Sequence, residues 1–253
     1  AGMDAIITRR IQTQLSGNGD GFAGFDDSFD FTGDGLASNN DMSLPIIVDV
    51  VSPSGRAFNW LDYSAASMAI LFLMFAVTSG GRTLLAERQN GTLQRLAITP
   101  TNNLTILVGK MAGIISIGLL QVFVLWGATS LIGAYWGNAL GVIPTIFMLV
   151  LSASGAGALI SAWSKSAGQA GAIGTAFSLT AAALSGSFFP RMNLPQFIRT
   201  ISYITPNAWG IEIFARLQSG KSLIDILPML GGVFLLTLFY YTVAAVGFQR
   251  KLD

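Results

Sequence analysis

Charged side chains are so sparse along most of this chain that their positions cut it into apolar runs. None occurs at 63–81, between Asp62 and Arg82, or at 111–164, between Lys110 and Lys165. None occurs at 166–190, before Arg191, or at 226–249, between Asp225 and Arg250. A helix needs about 20 predominantly apolar residues to cross a bilayer. The run at 111–164 holds 54 residues, too many for one crossing. Its GAYWGNALG stretch at 133–141 gathers glycine, asparagine and the interface-seeking rings of Tyr135 and Trp136, which predicts a turn there. The pattern therefore predicts an all-α integral membrane protein with five spanning helices, at about 64–81, 104–132, 142–163, 168–187 and 226–248. Helices buried in a soluble core rarely run this far without a charge.

Two polar stretches interrupt the runs. Residues 81–100, GRTLLAERQNGTLQRLAITP, collect Arg82, Glu87, Arg88 and Arg95 between two apolar segments, which puts them at a membrane face. Residues 187–225 hold two helix starts: Asn193 precedes Leu194 and Pro195, and Thr205 precedes Pro206. Proline is favoured early in a helix. In the first piece Leu194, Phe197, Ile198, Ile201 and Ile204 follow helical spacing. In the second, Trp209, Ile213 and Leu217 form one stripe, with Glu212 and Arg216 on another face. Helices this short suit a broken, re-entrant hairpin or a position in the membrane interface.

Charge divides the chain in two. Residues 1–62 hold nine aspartates against Arg9, Arg10 and Arg56, and they read as a polar domain piece ahead of a membrane domain at 63–253. Within it, 16–40 interleaves Gly and Asp with Phe22, Phe25, Phe29 and Phe31. It lacks the ordered spacing and terminal Glu of a calcium loop and reads as an irregular acidic loop. The remainder holds eleven Lys and Arg against Glu87, Glu212, Asp225 and Asp253. Basic residues favour the cytoplasmic face, but here seven fall on each side, with only a lean towards a cytoplasmic 82–95.

Candidate chemistry narrows the classes. The chain has no Cys and no His, which removes thiol nucleophiles, imidazole bases and the usual zinc ligands. No carboxylate falls inside a predicted span, which argues against an ion-coupled carrier. No GxxxxGK[ST] phosphate loop is present, so ATP is not bound by that route. The bundle is then either passive or driven from outside. No catalytic, metal or cofactor residues stand out, and a membrane enzyme would have to work without His or Cys. Small residues four apart, at Gly109 and Gly113, Ala153 and Gly157, Ala167 and Gly171, and Ala170 and Gly174, mark close helix packing. Gln121, deep in a span, reads as interhelical glue or, less readily, a pathway contact.

Two of these stretches resemble a known family. LLAERQNGTLQRLAITP at 84–100 resembles the ER-x-x-GT-L-x-R-L…TP stretch of ABC-2-type permeases, the membrane subunits of one class of ATP-driven exporters. SGSFFPRMNLPQFIRTISYITPNAWGIEIF at 185–214 resembles that family's G-x-x-FP…LP…S…TP…W stretch before its last span. The likeness runs over about 62–250.

The resemblance implies a cytoplasmic coupling helix in which Glu87, Arg88, Gly91, Thr92, Leu93, Arg95 and Leu96 transmit motion from a separate nucleotide-binding subunit. It implies an outer re-entrant helical hairpin in which Phe188, Phe189, Pro190, Pro195, Thr205, Pro206 and Trp209 shape a gate. ATP and magnesium would bind the partner, with no cofactor on this chain. The other partners would be a second permease copy, identical or not, and the lipid bilayer, with no nucleic acid. The expected role is export of a lipid-like, drug-like or polymeric substrate from the cytoplasm, multidrug efflux included. The alternative is a passive channel or ion-coupled carrier. The expected place is the plasma or inner membrane, crossed several times, with the N-terminal segment outside and the C-terminus cytoplasmic. Members have a further span ahead of an outer domain. Residues 1–62 would then be the end of that extracytoplasmic domain, and the chain a C-terminal portion of a longer permease.

Overall fold

The computed structural model describes residues 59–90 and 103–249. Among them the secondary structure is helical, with seven α-helices and no strand. The helices are α1 (Trp60–Gln89), α2 (Asn103–Leu131), α3 (Ala139–Trp163), α4 (Ala167–Ser185), α5 (Gln196–Ser202), α6 (Pro206–Gln218) and α7 (Leu223–Gln249). A 3-10 turn, Arg191–Asn193, lies between α4 and α5.

Local chemistry sets the ends. Asn59 Oδ1 accepts from Leu61 N at 2.9 Å at the start of α1. Asn138 caps α3, accepting from Leu140 N at 3.0 Å, and Ser166 caps α4, accepting from Gln169 N at 3.1 Å. In the first turn of α7, Asp225 accepts from both the amide and the hydroxyl of Ser222, the residue before the helix, at 2.8 and 2.9 Å. The predicted turn between α2 and α3 is real, with Gly133 and Gly137 at φ of 103° and 106°. A Cβ on Gly137 would stand 2.8 Å from the carbonyl of Leu217, so both conformation and space require glycine.

Among the described residues four helices are long and apolar enough to cross a membrane: Trp60–Glu87, Val108–Leu131, Ala139–Trp163 and Leu223–Phe248. The fourth predicted run, 168–187, is a helix but is not among them. Its 19 residues are mostly Gly, Ala, Ser and Thr, which carry little hydropathy. The first helix differs too. Charge ends the apolar run at Arg82, but α1 continues to Gln89 and takes the front of the polar stretch with it.

The core lies where α1, α3 and α6 meet. Ala66, Ile70, Leu73, Met74 and Val77 of α1 face Val142, Ile146, Leu149, Val150 and Ala153 of α3, with Ile213, Phe214 and Leu217 of α6 filling between them. In α3 67% of the apolar window is buried, in α2 only 11%. The outward residues of α2, among them Ile117, Leu120 and Val124, are large, apolar and exposed among the described residues. Glycine sets the close approaches: a Cβ on Gly157 of α3 would lie 3.0 Å from the Val77 carbonyl oxygen, and one on Gly174 of α4 would lie 3.0 Å from Thr78 Cβ. A Cβ on Gly109 or Gly113 would have nothing within 4 Å among the described residues, so none of these packs on that predicted face.

Candidate functional site

Contacts sort the structure into two ends. At one end α1 runs past Arg82 to Glu87, whose carboxylate forms an ion pair with Lys110 of α2. Thr78, Ser79 and Arg82 of α1 face Gly168, Gly171 and Thr175 of α4 across an open cleft of about 470 Å3. The side chain of Arg82 passes so close to α4 that a Cβ on Gly171 would lie 2.9 Å from its Cδ. Arg88 belongs to α1. Gly91, Thr92, Leu93, Arg95 and Leu96 lie outside the described residues, and so does residues 1–58 as a whole, the acidic loop included.

At the other end, α4 stops at Gly186, which takes a left-handed φ of 90°, and Ser187 N closes the turn on Ala182 O at 2.9 Å. Phe188 and Phe189 follow, exposed, and Pro190 and Pro195 flank the 3-10 turn. Thr205 and Pro206 are buried at the start of α6. Trp209 donates from Nε1 to Tyr203 O at 2.7 Å and packs edge-on to the Tyr203 ring at 4.8 Å. It also lies against α7, where a Cβ on Gly232 would collide with its indole. Tyr240 of α7 donates to Ile204 O at 2.5 Å. Of the gate residues named from the sequence, Trp209 is thus packed against α7. Helices α5 and α6 are half-length, as expected. Their apolar stripes differ: Phe197, Ile201 and Ile204 are exposed, whereas Ile213 and Leu217 are buried. Gln121 is half-buried on α2 and hydrogen-bonds nothing among the described residues.

The organising residue of this end was not singled out by the sequence. Arg191 is 7% exposed. Its guanidinium donates to Arg199 O at 3.0 Å, lies 3.4 Å from Ala208 O and 3.5 Å from Ser185 O, and sits 4.5 Å over the Tyr203 ring. Its Nε is 3.6 Å from Glu212, whose other oxygen is 3.5 Å from Arg216 Nε. A buried charge is stable only when paired and hydrogen-bonded, and this one is both. The Arg191 amide donates to the Tyr63 hydroxyl of α1 at 3.2 Å, and that hydroxyl donates to Gly186 O at 2.5 Å. The spacing of Glu212 and Arg216 was legible, but the third member of the network is an arginine that reads in sequence as one more loop charge. The same end also holds Asp62, which accepts from Tyr135 N and whose carbonyl accepts from Gln218, both at 2.8 Å.

The described charges fall into two groups. Arg82 and Lys110 gather at the Glu87 end, and Arg191 and Arg216 at the hairpin end.

Residues 7–246 match the sequence profile of a family described as ABC-2 family transporter protein. The match begins well before the two motifs and takes in most of the acidic segment. The linearmycin resistance permease protein LnrN of Bacillus subtilis (strain 168) is 30% identical over 169 residues, which cover 66% of this chain and 44% of that relative. The match thus spans less than half of the relative's length.

Proposed function

We propose, for a chain that belongs to the ABC-2 family of transporter proteins, the role of membrane permease in an ATP-driven exporter whose motor is a separate nucleotide-binding subunit. The observation that carries this reading is the Glu87–Lys110 ion pair. It joins the end of α1 to α2 on either side of residues 90–102, which hold the GT-L-x-R-L motif. A push on that segment is then delivered to two spanning helices at once. ATP and magnesium belong to the motor subunit. The Glu87 end faces the cytoplasm and the hairpin end faces outside, with α4 as a fifth span. A second permease copy completes the pathway. The relative is named for resistance to linearmycin, and the substrate class that fits an apolar bundle of this kind is a drug-like or lipid-like amphiphile.

The test is a pull-down of the permease with its ATP-binding partner. Glu87→Lys sets two lysines against each other across α1 and α2, and partner recovery is expected to fall about tenfold, a change of about 1.4 kcal/mol, with membrane insertion unchanged. Full recovery of the partner with unimpaired transport would remove the coupling role.

A further inference from the structure

Helix α1 reaches both ends of the site just described. Its 30 residues contain no proline, and at 1.5 Å per residue they make a rod of about 45 Å. Glu87 is near one end of the rod and Tyr63 near the other. Both residues are tied to other elements, Glu87 to α2 and Tyr63 to the turn that follows α4.

We propose that the Tyr63 hydroxyl and the Arg191 side chain are positioning groups that make α1 and the hairpin one mechanical unit, so that motion imposed at the Glu87 end is delivered to the outer gate. This rests on the exporter reading and adds how its stroke crosses the membrane. The argument starts from hydrogen-bonding capacity. A phenol has one proton to donate and can accept as well. Tyr63 spends its proton on Gly186 O at 2.5 Å, with Phe189 O at 3.2 Å as a weaker second acceptor, and it accepts from Arg191 N at 3.2 Å. All of these partners lie in one tight turn, because a Cβ on Gly186 would meet Phe189 O at 3.0 Å and Arg191 Cα at 3.2 Å. One hydroxyl thus holds the turn by both ends.

Arg191 then carries the connection outward. Its amide grips α1 through Tyr63, and its guanidinium grips α4 at Ser185 O, α5 at Arg199 O, and α6 at Ala208 O and Glu212. Where water is scarce, releasing such a group from several partners is costly, and the arrangement resists partial opening. Displacing α1 along its axis therefore drags the hairpin with it.

The chain has no cysteine, so introduced cysteines are the only labelled sites. Spin labels at Thr83→Cys on α1 and Phe197→Cys on α5, in permease embedded in lipid nanodiscs, report whether the two move together. A single narrow distance is expected, and Tyr63→Phe or Arg191→Gln should broaden it. In the purified complex with the ATP-binding partner, the Phe197→Cys label alone should change mobility when ATP is trapped. In the Tyr63→Phe variant, which loses the bonds to Gly186 O and from Arg191 N together, that change should shrink about tenfold, a change of about 1.4 kcal/mol, while ATP hydrolysis continues. A purely structural role would lower hydrolysis and the label response together. A distance as narrow in both variants as in the parent, or a full label response in Tyr63→Phe, overturns the proposal. So does a parent complex whose label ignores ATP. Failure to recover any ATP-binding partner would instead sink the exporter reading, and the nanodisc distance would still decide whether α1 and the hairpin are joined.

Discussion

Glu87 leaves the bundle at the end of α1 with its carboxylate already engaged by Lys110 of α2. Exposed ion pairs contribute about 0–1 kcal/mol, and this pair is partly shielded, with side-chain exposures of 39% and 21%. Its value to the protein is therefore geometric more than energetic, since it fixes the spacing of the two helices that carry residues 90–102. That distinction can be measured. If Glu87 acts as an intrachain clamp, combining Glu87→Lys with Lys110→Glu restores opposite charges and should bring partner recovery back to within about twofold of the parent, because the coupling energy of the pair is regained. If the swap leaves recovery as low as Glu87→Lys alone, the carboxylate acts directly on the partner and the clamp is wrong. Arg191 is the contrasting case. Its neighbours are so close that Arg191→Leu, which leaves the carbonyl oxygens of Ser185, Arg199 and Ala208 without their donor, should destabilise the protein by about 3 kcal/mol. A thermal midpoint within a degree or two of the parent would contradict that.

At the scale of elements, the apolar runs were legible because charge is expensive in a bilayer and its absence is visible in one dimension. Helix ends were less so. Arg82 closes the first run but not α1, since a helix that has reached the membrane face can continue into water on polar residues. The small-residue pairs show the same limit. Gly157 and Gly174 do set close approaches to α1, whereas Gly109 and Gly113, at the same spacing, face nothing among the described residues. Spacing says that a helix has a flat face, and only the fold says where that face points. Mutation should separate the two kinds. Gly157→Leu meets the Val77 carbonyl, which cannot give way, and should cost about 1–3 kcal/mol, seen as a lowered thermal midpoint in detergent. Gly113→Leu enters open space and should stay within about 0.5 kcal/mol. Equal effects would mean that the packing of α1 on α3 is misassigned.

At the scale of the whole molecule, two motifs sufficed to recognise the ABC-2 family, and the family match over residues 7–246 agrees. What could not be read in advance is the way the hairpin is fastened. The Tyr63–Arg191 contact joins residues 128 positions apart, and the other partners of Arg191 are mostly backbone carbonyls, which leave no mark in a sequence. Among the described residues the architecture is a buried pair of helices, α1 and α3, with the Glu87–Lys110 ion pair at one end and a braced hairpin at the other. The account stands on the first of these ends being where the motor acts. The most direct measurement is site-specific photo-crosslinking in the native membrane, with a photoreactive residue at Thr92 or at Phe197. Capture of an ATP-binding subunit from position 92 and none from position 197 is the predicted result. Capture from 197, or none from 92 while the ATP-binding subunit still co-purifies, would contradict it.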